Sequence, residues 1–308
     1  MKNKLIMSSE KSIIAKPFLK WAGGKTQLIE EIKNNLPSSI ENKKFTFIEP
    51  FVGSGAVFFW MMETYPNIEK AVINDINTDL TDCYLTIKED LNQLVDILSD
   101  YQEEYHKIFA DKEKSKEYYY IKRDLFNTRT SDRVVQSALF IFLNKTCFNG
   151  LYRVNSKNQY NVPIGRSKSL PKICNESNLK AVSEVLQKTI ILNGDYANTV
   201  KYAKENTLFY FDPPYKPLNT TSSFNSYAKD EFNDEQQIRL KDFCETLNKK
   251  GHQWILSNSD MKNINPDDNF FDDLYEDFNI FRVHARRSIN SKASKRGKLT
   301  ELLITNLS

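Results

Sequence analysis

The tetrapeptide Asp212-Pro213-Pro214-Tyr215 directly follows an apolar run, "TLFYF" (207–211). Such a run reads as a buried strand. The tetrapeptide then stands at a strand's carboxyl end, the edge where open α/β sheets bind ligands. Two successive prolines remove two N–H donors and fix the backbone, which leaves carbonyls able to face a pocket. Asp212 and the Pro213 carbonyl are then two acceptors in a rigid frame. An amine on an aromatic ring offers two N–H donors to match them, and Tyr215 offers a flat face for stacking. The plainer alternative is a turn closed by an aromatic plug.

Two glycine-bearing stretches precede it. "EPFVGSGAVF" (49–58) places Gly53 and Gly55 between a strand and a helix, a spacing that equally fits a tight turn. Asp75, at the tip of the next strand and about twenty residues on, could accept both ribose hydroxyls of an adenosine-containing ligand without any pyrophosphate. "KWAGGKT" (20–26) ends like a phosphate-binding P-loop. That loop needs a glycine five positions before Gly24, where this chain has Leu19, so a nucleotide hydrolase is not supported.

Holding these residues at one edge requires a sheet. Strands are expected at 43–51, 70–77, 189–196, 207–215, 252–260, 278–285 and 299–306, with helices after Gly55 and over 233–250. Leu80 to Phe142 has helical periodicity, and 144–168 reads as a β-hairpin with flanking loops. The layout is an α/β core interrupted by a mainly helical insertion at about 85–188, after a loose polar segment at 1–14.

With 308 residues, the chain suits one large or two modest domains. Cys83, Cys147, Cys174 and Cys244 are scattered and no C-x-x-C occurs, so neither zinc nor a disulfide scaffold is expected. No apolar run reaches membrane-span length, and the N-terminus lacks a signal-peptide core, so the cytoplasm is expected. Net charge is only +3, but no Asp or Glu occurs between Arg133 and Asn175, where Lys145, Arg153, Lys157, Arg166, Lys168 and Lys172 recur. A second basic block runs from Arg282 to Lys298, after an acidic stretch. Both suit a polyanion; a solvated charged face is the other reading.

In order along the chain, "FLKWAGGK", "EPFVGSG", "NDIN", "FNGLYRVN", "NVPIGR", "GDY", "DPPY" and "RGKLTELLITN" together resemble the Dam family of S-adenosylmethionine-dependent DNA adenine-N6 methyltransferases. The resemblance spans Pro17 to Asn306. It implies a Rossmann-like methyltransferase core with a mixed, mostly parallel sheet (15–84 and 189–308) and an inserted, mainly helical target-recognition domain carrying the hairpin (85–188). It implies that Trp21, Gly23, Gly24, Lys25, Glu49, Phe51, Gly53, Gly55, Asp75, Ile76, Asp195, Tyr196 and Asp212 form the cofactor pocket, with Lys25 facing the methionine carboxylate. Asp212, Pro213, Pro214 and Tyr215 would hold a flipped target adenine.

The same resemblance implies that Lys20, Phe148, Asn149, Leu151, Arg153, Asn155, Pro163 and Arg166 contact double-stranded DNA. Arg153 would read a guanine, Leu151 and Pro163 would touch thymine methyls, and Phe148 with Asn149 would wedge into the stack, all within GATC. A phosphate contact is the alternative for Arg153; Tyr152 holds a position that decides nothing in the family. Lys216–Phe232, with Phe224 and Tyr227, reads as a flap over the flipped base or as an ordinary loop. A monomer, bacterial or phage-encoded and solitary or paired with a restriction endonuclease, is expected. Methylation of RNA or of a protein amide, and a non-catalytic DNA-binding relative, are the competing readings.

Overall fold

A computed structural model describes residues 13–21, 25, 28–216, 232–285 and 299–307. Of the residues singled out above, Gly23, Gly24, Phe224, Tyr227 and the basic block from Arg286 to Lys298 lie outside this set, as does the 1–14 segment apart from Ile13 and Ile14.

Seven strands form one sheet: β1 (Phe45–Glu49), β2 (Ile68–Asp75), β3 (Thr189–Asn193), β4 (Thr207–Phe211), β5 (Gln253–Ser259), β6 (Asn279–Ala285) and β7 (Leu299–Thr305). Their order is β3-β2-β1-β4-β5-β7-β6. The first five are parallel, and β7 runs antiparallel to both β5 and β6. This is a Rossmann-like mixed sheet. Its strand order reverses between β1 and β4, so a crevice opens there at the carboxyl ends. All five residues of β1 and of β4 are buried, as parallel strands covered on both faces must be.

Helices cover both faces. The helix α1 (Ile29–Asn34) precedes the sheet, and α2 (Ala56–Thr64) follows β1. Gly55 enters α2 at φ 75°, and a side chain there would meet the Tyr84 hydroxyl at 2.8 Å. Between β2 and β3 lie α3 (Thr78–Glu89), α4 (Leu91–Ile108), α5 (Lys112–Thr128), α6 (Arg133–Thr146) and α7 (Glu176–Leu186). Asn77, Asp111 and Asp132 cap α3, α5 and α6 through their side chains. The most apolar of the five is α6, which packs against α3, α4 and α5 and buries an unbroken run from Ala138 to Asn144. One apolar core continues from β1, β2 and α2 through α3 into these helices and on to Tyr152, Tyr160 and Val162. The expected boundary at 84/85 falls inside α3. A second core fills the other face, where α8 (Asp234–Lys249) and α9 (Phe270–Leu274) meet β4 and β5.

Two local expectations change. The strand pattern over 189–196 stops at Asn193: Gly194 sits at φ 130°, and Asp195 caps a 3-10 turn, Tyr196–Tyr202, through the Ala197 N–H. The segment over 144–168 forms no strand ladder. It folds back on itself through two isolated antiparallel bridges, Cys147 with Ile164 and Val154 with Tyr160. Left-handed backbone at Asn149, Gly150 and Asn158 breaks the extended run, and Pro163 has no N–H to give. Side chains from the helices supplement the few backbone bonds: Tyr119 donates to the Val162 carbonyl at 2.8 Å, and Asn127 pairs with both backbone groups of Tyr160 at 3.0 and 2.7 Å.

Candidate active site and DNA-facing surface

Glu49, Asp75 and Asp212 stand at or just beyond the carboxyl ends of β1, β2 and β4. Asp212 Oδ1 accepts from Ser257 Oγ at 3.0 Å and lies 3.0 Å from Lys25 Nζ. Ser257 is braced in turn by the Tyr210 hydroxyl at 3.1 Å. Burial raises the Asp212 carboxyl above its ordinary range, while Lys25 and Ser257 act against it. The Lys25 ammonium also sits 4.1 Å over the Tyr215 ring, whose hydroxyl donates to Glu301 Oε2 at 2.9 Å. The Pro214 carbonyl accepts from Gln237 at 3.2 Å, and Asn258 donates to Gln237 at 3.0 Å. The 212–216 turn is thus held from β5, β7 and α8 as well as by its prolines.

Glu49 is 2% exposed, and its Oε2 has no hydrogen-bond partner. Burial first, and then the nearby charge of Asp212, push its carboxyl well above the usual range. Asp75 is set differently: Oδ2 accepts from the Gly53 N–H at 3.1 Å and Oδ1 from the Asn77 N–H at 2.9 Å. These bonds oppose the rise that burial causes. Asn74 bridges the Pro50 and Gly194 carbonyls at 2.9 and 3.0 Å, which ties the ends of β1, β2 and β3 together. The Trp21 ring stands 3.1 Å from where a Gly53 side chain would begin. Ile76, at 65% exposure, is an apolar surface beside Asp75. Gly55 forms the turn described above.

Asp195 and Tyr196 lie at the same edge, beyond β3. Arg239 grips Asp195 with two bonds of 2.8 and 2.9 Å and holds its carboxyl below the ordinary range. Tyr196 packs against Phe51, with ring centres 5.1 Å apart. Its buried hydroxyl has no partner, and burial pushes it up to about 12.

On the insertion side, Phe148, Asn149, Arg153, Asn155, Pro163 and Arg166 are exposed, Phe148 by 46%, while Leu151 is half-buried. Their backbone is fixed from beneath. Asn144 accepts from the Lys20 N–H and donates to the Lys20 and Gly150 carbonyls at 2.8 to 3.0 Å, which brings Lys20 to this surface. Burial, and Lys20 beside it, push the Lys145 ammonium down to about 8. Asn161 accepts from Arg153 Nε at 2.7 Å. Lys157, Lys168 and Lys172 are exposed as well, so the acid-free block is a surface feature. Arg282, which opens the second block, is used structurally: it pairs with Asp272 at 2.7 Å and with Asp260 at 3.2 Å.

Sequence reading missed Ser257, Glu301, Gln237 and Asn258, although the polar end of the strand "HQWILSNSD" was a usable signal. It also set aside Tyr152, which is 8% exposed and donates to Asp79 at 2.8 Å.

A Rossmann-like sheet with a rigid acceptor turn at its switch point, and an inserted basic surface, is the frame of an α/β enzyme that binds its ligands in that crevice. A sequence profile of the D12 class N6 adenine-specific DNA methyltransferases matches residues 21–289, and the chain belongs to that family of adenine-specific DNA methyltransferases. It is 50% identical over 295 residues to the type II methyltransferase M.MjaIII of Methanocaldococcus jannaschii, covering 94% of this chain and 99% of the relative. It is 40% identical over 302 residues to the type II methyltransferase M1.LlaDCHI of Lactococcus lactis subsp. cremoris, covering 94% and 95%. The DNA adenine methylase of Haemophilus influenzae is 37% identical over 289 residues, covering 94% and 92%. No helix among the described residues is long and apolar enough to cross a membrane.

Proposed function

We propose that the protein transfers a methyl group from S-adenosylmethionine to the N6 amine of an adenine flipped out of duplex DNA, within GATC. The observation that carries this reading is Asp212, fixed on one oxygen by Lys25 and Ser257 and followed by the rigid Pro-Pro-Tyr turn.

The donor set suits this cofactor. S-adenosylmethionine carries a sulfonium and an ammonium, and one buried and two half-buried carboxylates, with Glu49 Oε2 unpartnered, favour a cation. Glu49, Phe51 and Gly53 would hold the methionine end, Asp75 the ribose, and Ile76, Asp195 and Tyr196 the adenine side. Trp21, Lys25 and Gly55 complete the pocket. The bound cofactor supplies an electrophilic methyl group. The chain's part is to present the amine. Asp212 Oδ2 and the Pro213 carbonyl accept its two N–H bonds, which turns the nitrogen lone pair outward and stabilises the positive charge that grows there. Tyr215, fixed by Glu301, gives the ring a face once the Lys25 ammonium yields it. Asp212, or water, takes the proton afterwards.

The exposed Phe148, Asn149, Arg153, Asn155, Pro163 and Arg166 and the half-buried Leu151, with Lys20, are assigned to DNA. Residues 85–188 are assigned as the target-recognition domain, and 15–84 with 189–308 as the catalytic one. Asn161 takes Arg153 Nε and leaves the two Nη groups for the O6 and N7 of a guanine. A target adenine inside the stack must flip to reach Asp212. The protein acts as a monomer in the cytoplasm. The type II names of two relatives support a paired restriction endonuclease.

Modified-base sequencing of plasmid DNA from a methylation-free host expressing the protein tests the reading. N6-methyladenine at every GATC is expected. Methylation at another sequence would overturn the assignment of the reading residues and leave the chemistry standing. Unmodified DNA from a well-expressed protein would overturn both.

A further inference from the structure

The Trp21 ring has a neighbour on each side. Its Cδ1 and Nε1 stand 3.1 and 3.2 Å from where a side chain on Gly53 would begin. It also stacks on Tyr152, with ring centres 5.7 Å apart and planes 25° from parallel. Tyr152 donates its hydroxyl to Asp79 Oδ2 at 2.8 Å, and the other oxygen of Asp79 takes the Arg129 guanidinium. Arg129 donates again to the Asn158 carbonyl at 3.2 Å, in the turn that follows Arg153. Asp79 lies in the first turn of α3, four residues after Asp75. Asp75 holds the Gly53 N–H at 3.1 Å. The contacts close a ring: Gly53, Trp21, Tyr152, Asp79, the start of α3, Asp75 and Gly53 again.

The ring is stiff where it matters. Tyr152 is 8% exposed and the Asp79 side chain 13% exposed, so their bond is charge-assisted and largely desolvated. Asp79 has both oxygens engaged, and each partner comes from the insertion. Gly53 sits at φ 49° facing the indole, and the gap between them is too small for a side chain at position 53 unless the indole gives way. Tyr152 is therefore held by a group anchored next to Asp75 and by one that touches Gly53, while its own backbone carries the neighbouring Arg153.

We infer that Tyr152 is a positioning residue that couples occupancy of the Gly53 loop, bonded to Asp75, to the placement of the segment bearing Arg153, so that cofactor and cognate DNA tighten each other's binding. This rests on the assignment of that loop to the cofactor and of the segment to DNA. A ligand that fixes the loop fixes Trp21 and the start of α3, and DNA then meets a segment already in place. Thermodynamic linkage makes the effect reciprocal and of equal size in both directions.

The test is a binding cycle on the full-length protein, with S-adenosylhomocysteine as the unreactive probe and a labelled duplex bearing the methylated site. For the unaltered protein, each ligand should tighten the other by the same factor, about fivefold or more. Tyr152→Phe keeps the ring and loses the hydroxyl. It should bring the factor close to one and leave affinity for S-adenosylhomocysteine alone unchanged. Asp79→Asn, which weakens the grip on both Tyr152 and Arg129, should act in the same direction. A Tyr152→Phe protein that keeps the full factor overturns the inference. So does an unaltered protein that binds both ligands with a factor of one, a result that needs no variant to fold. Failure of the unaltered protein to bind S-adenosylhomocysteine at all would instead bring down the cofactor assignment, and the inference with it.

Discussion

At the carboxyl ends of β1, β2 and β4 the charged groups are buried or half-buried, on or just after regular strands; across residues 148–166 they are exposed on irregular backbone. Glu49 is 2% exposed with an unpartnered oxygen, and Asp212 is fixed by Lys25 and Ser257. Arg153, Arg166 and Lys157 face solvent, and the groups that hold the backbone there are the buried Tyr119, Asn144 and Tyr160 and the half-buried Asn127. The difference follows from the tasks assigned to the two regions. Stabilising a charge that develops on a nitrogen requires fixed dipoles away from water. Reading a groove requires donors that reach outward, on a frame stiff enough to keep their spacing. In the first region one carboxyl oxygen, Glu49 Oε2, is left without a partner out of water, beside two carboxylates that are bonded; in the second the backbone is held from below and the charged side chains reach solvent.

The largest expected effect tests the first region. Asp212→Asn keeps the shape of the side chain and its contact with Ser257 but removes the charge. Turnover should fall by about 10²–10³-fold or more, with DNA affinity retained. Single-turnover methylation and gel-shift assays on one preparation separate the two quantities; near-normal turnover would remove Asp212 from the chemistry. Next is the second region. Arg153→Ala should cost about 1–3 kcal/mol of discrimination at one guanine and leave other positions as they were. Competition binding with duplexes altered one base pair at a time reads this. A uniform loss on every duplex would make Arg153 a phosphate contact and erase the contrast drawn above.

The parts legible in the sequence were those whose signal is local. Asp212 and Asp75 are read from apolar runs that end in an acid, and the α/β core from alternating strand and helix patterns. What was not legible depends on sheet order. Ser257 reaches Asp212 across 45 residues and Glu301 reaches Tyr215 across 86, because β5 lies beside β4 and β7 beside β5. Tyr152 looked indifferent because Asp79, its partner, is 73 residues away on α3. The expected hairpin is an irregular antiparallel fold-back without regular strands, for a local reason that pattern reading does not weigh, namely three residues with positive φ inside one short segment. Position 239 carried no signal either, since Arg239 finds Asp195 only when α8 packs on the sheet.

The smallest predicted effect concerns Glu49 and has a definite sign. Burial raises its folded carboxyl above the value it has in the unfolded chain; one backbone N–H, that of Phe58, acts the other way. A raised folded value means that the protonated form is favoured by folding. The stability this supplies is complete below the ordinary carboxylate range and is lost as pH rises through the folded value. Glu49→Gln stays neutral throughout. The ligand-free variant should therefore match the parent in acid below that range, and exceed it near neutral pH by about 1 kcal/mol, a rise of about 2 °C in melting temperature. S-adenosylmethionine should reverse the order, because the parent's carboxylate gains a cationic partner and the amide does not. Thermal melts at two pH values, with and without the cofactor, measure all four terms. A ligand-free variant less stable than the parent near neutral pH would show that Glu49 is already satisfied, and that the contrast between a strained pocket and a relaxed reading surface is wrong at its best-placed residue.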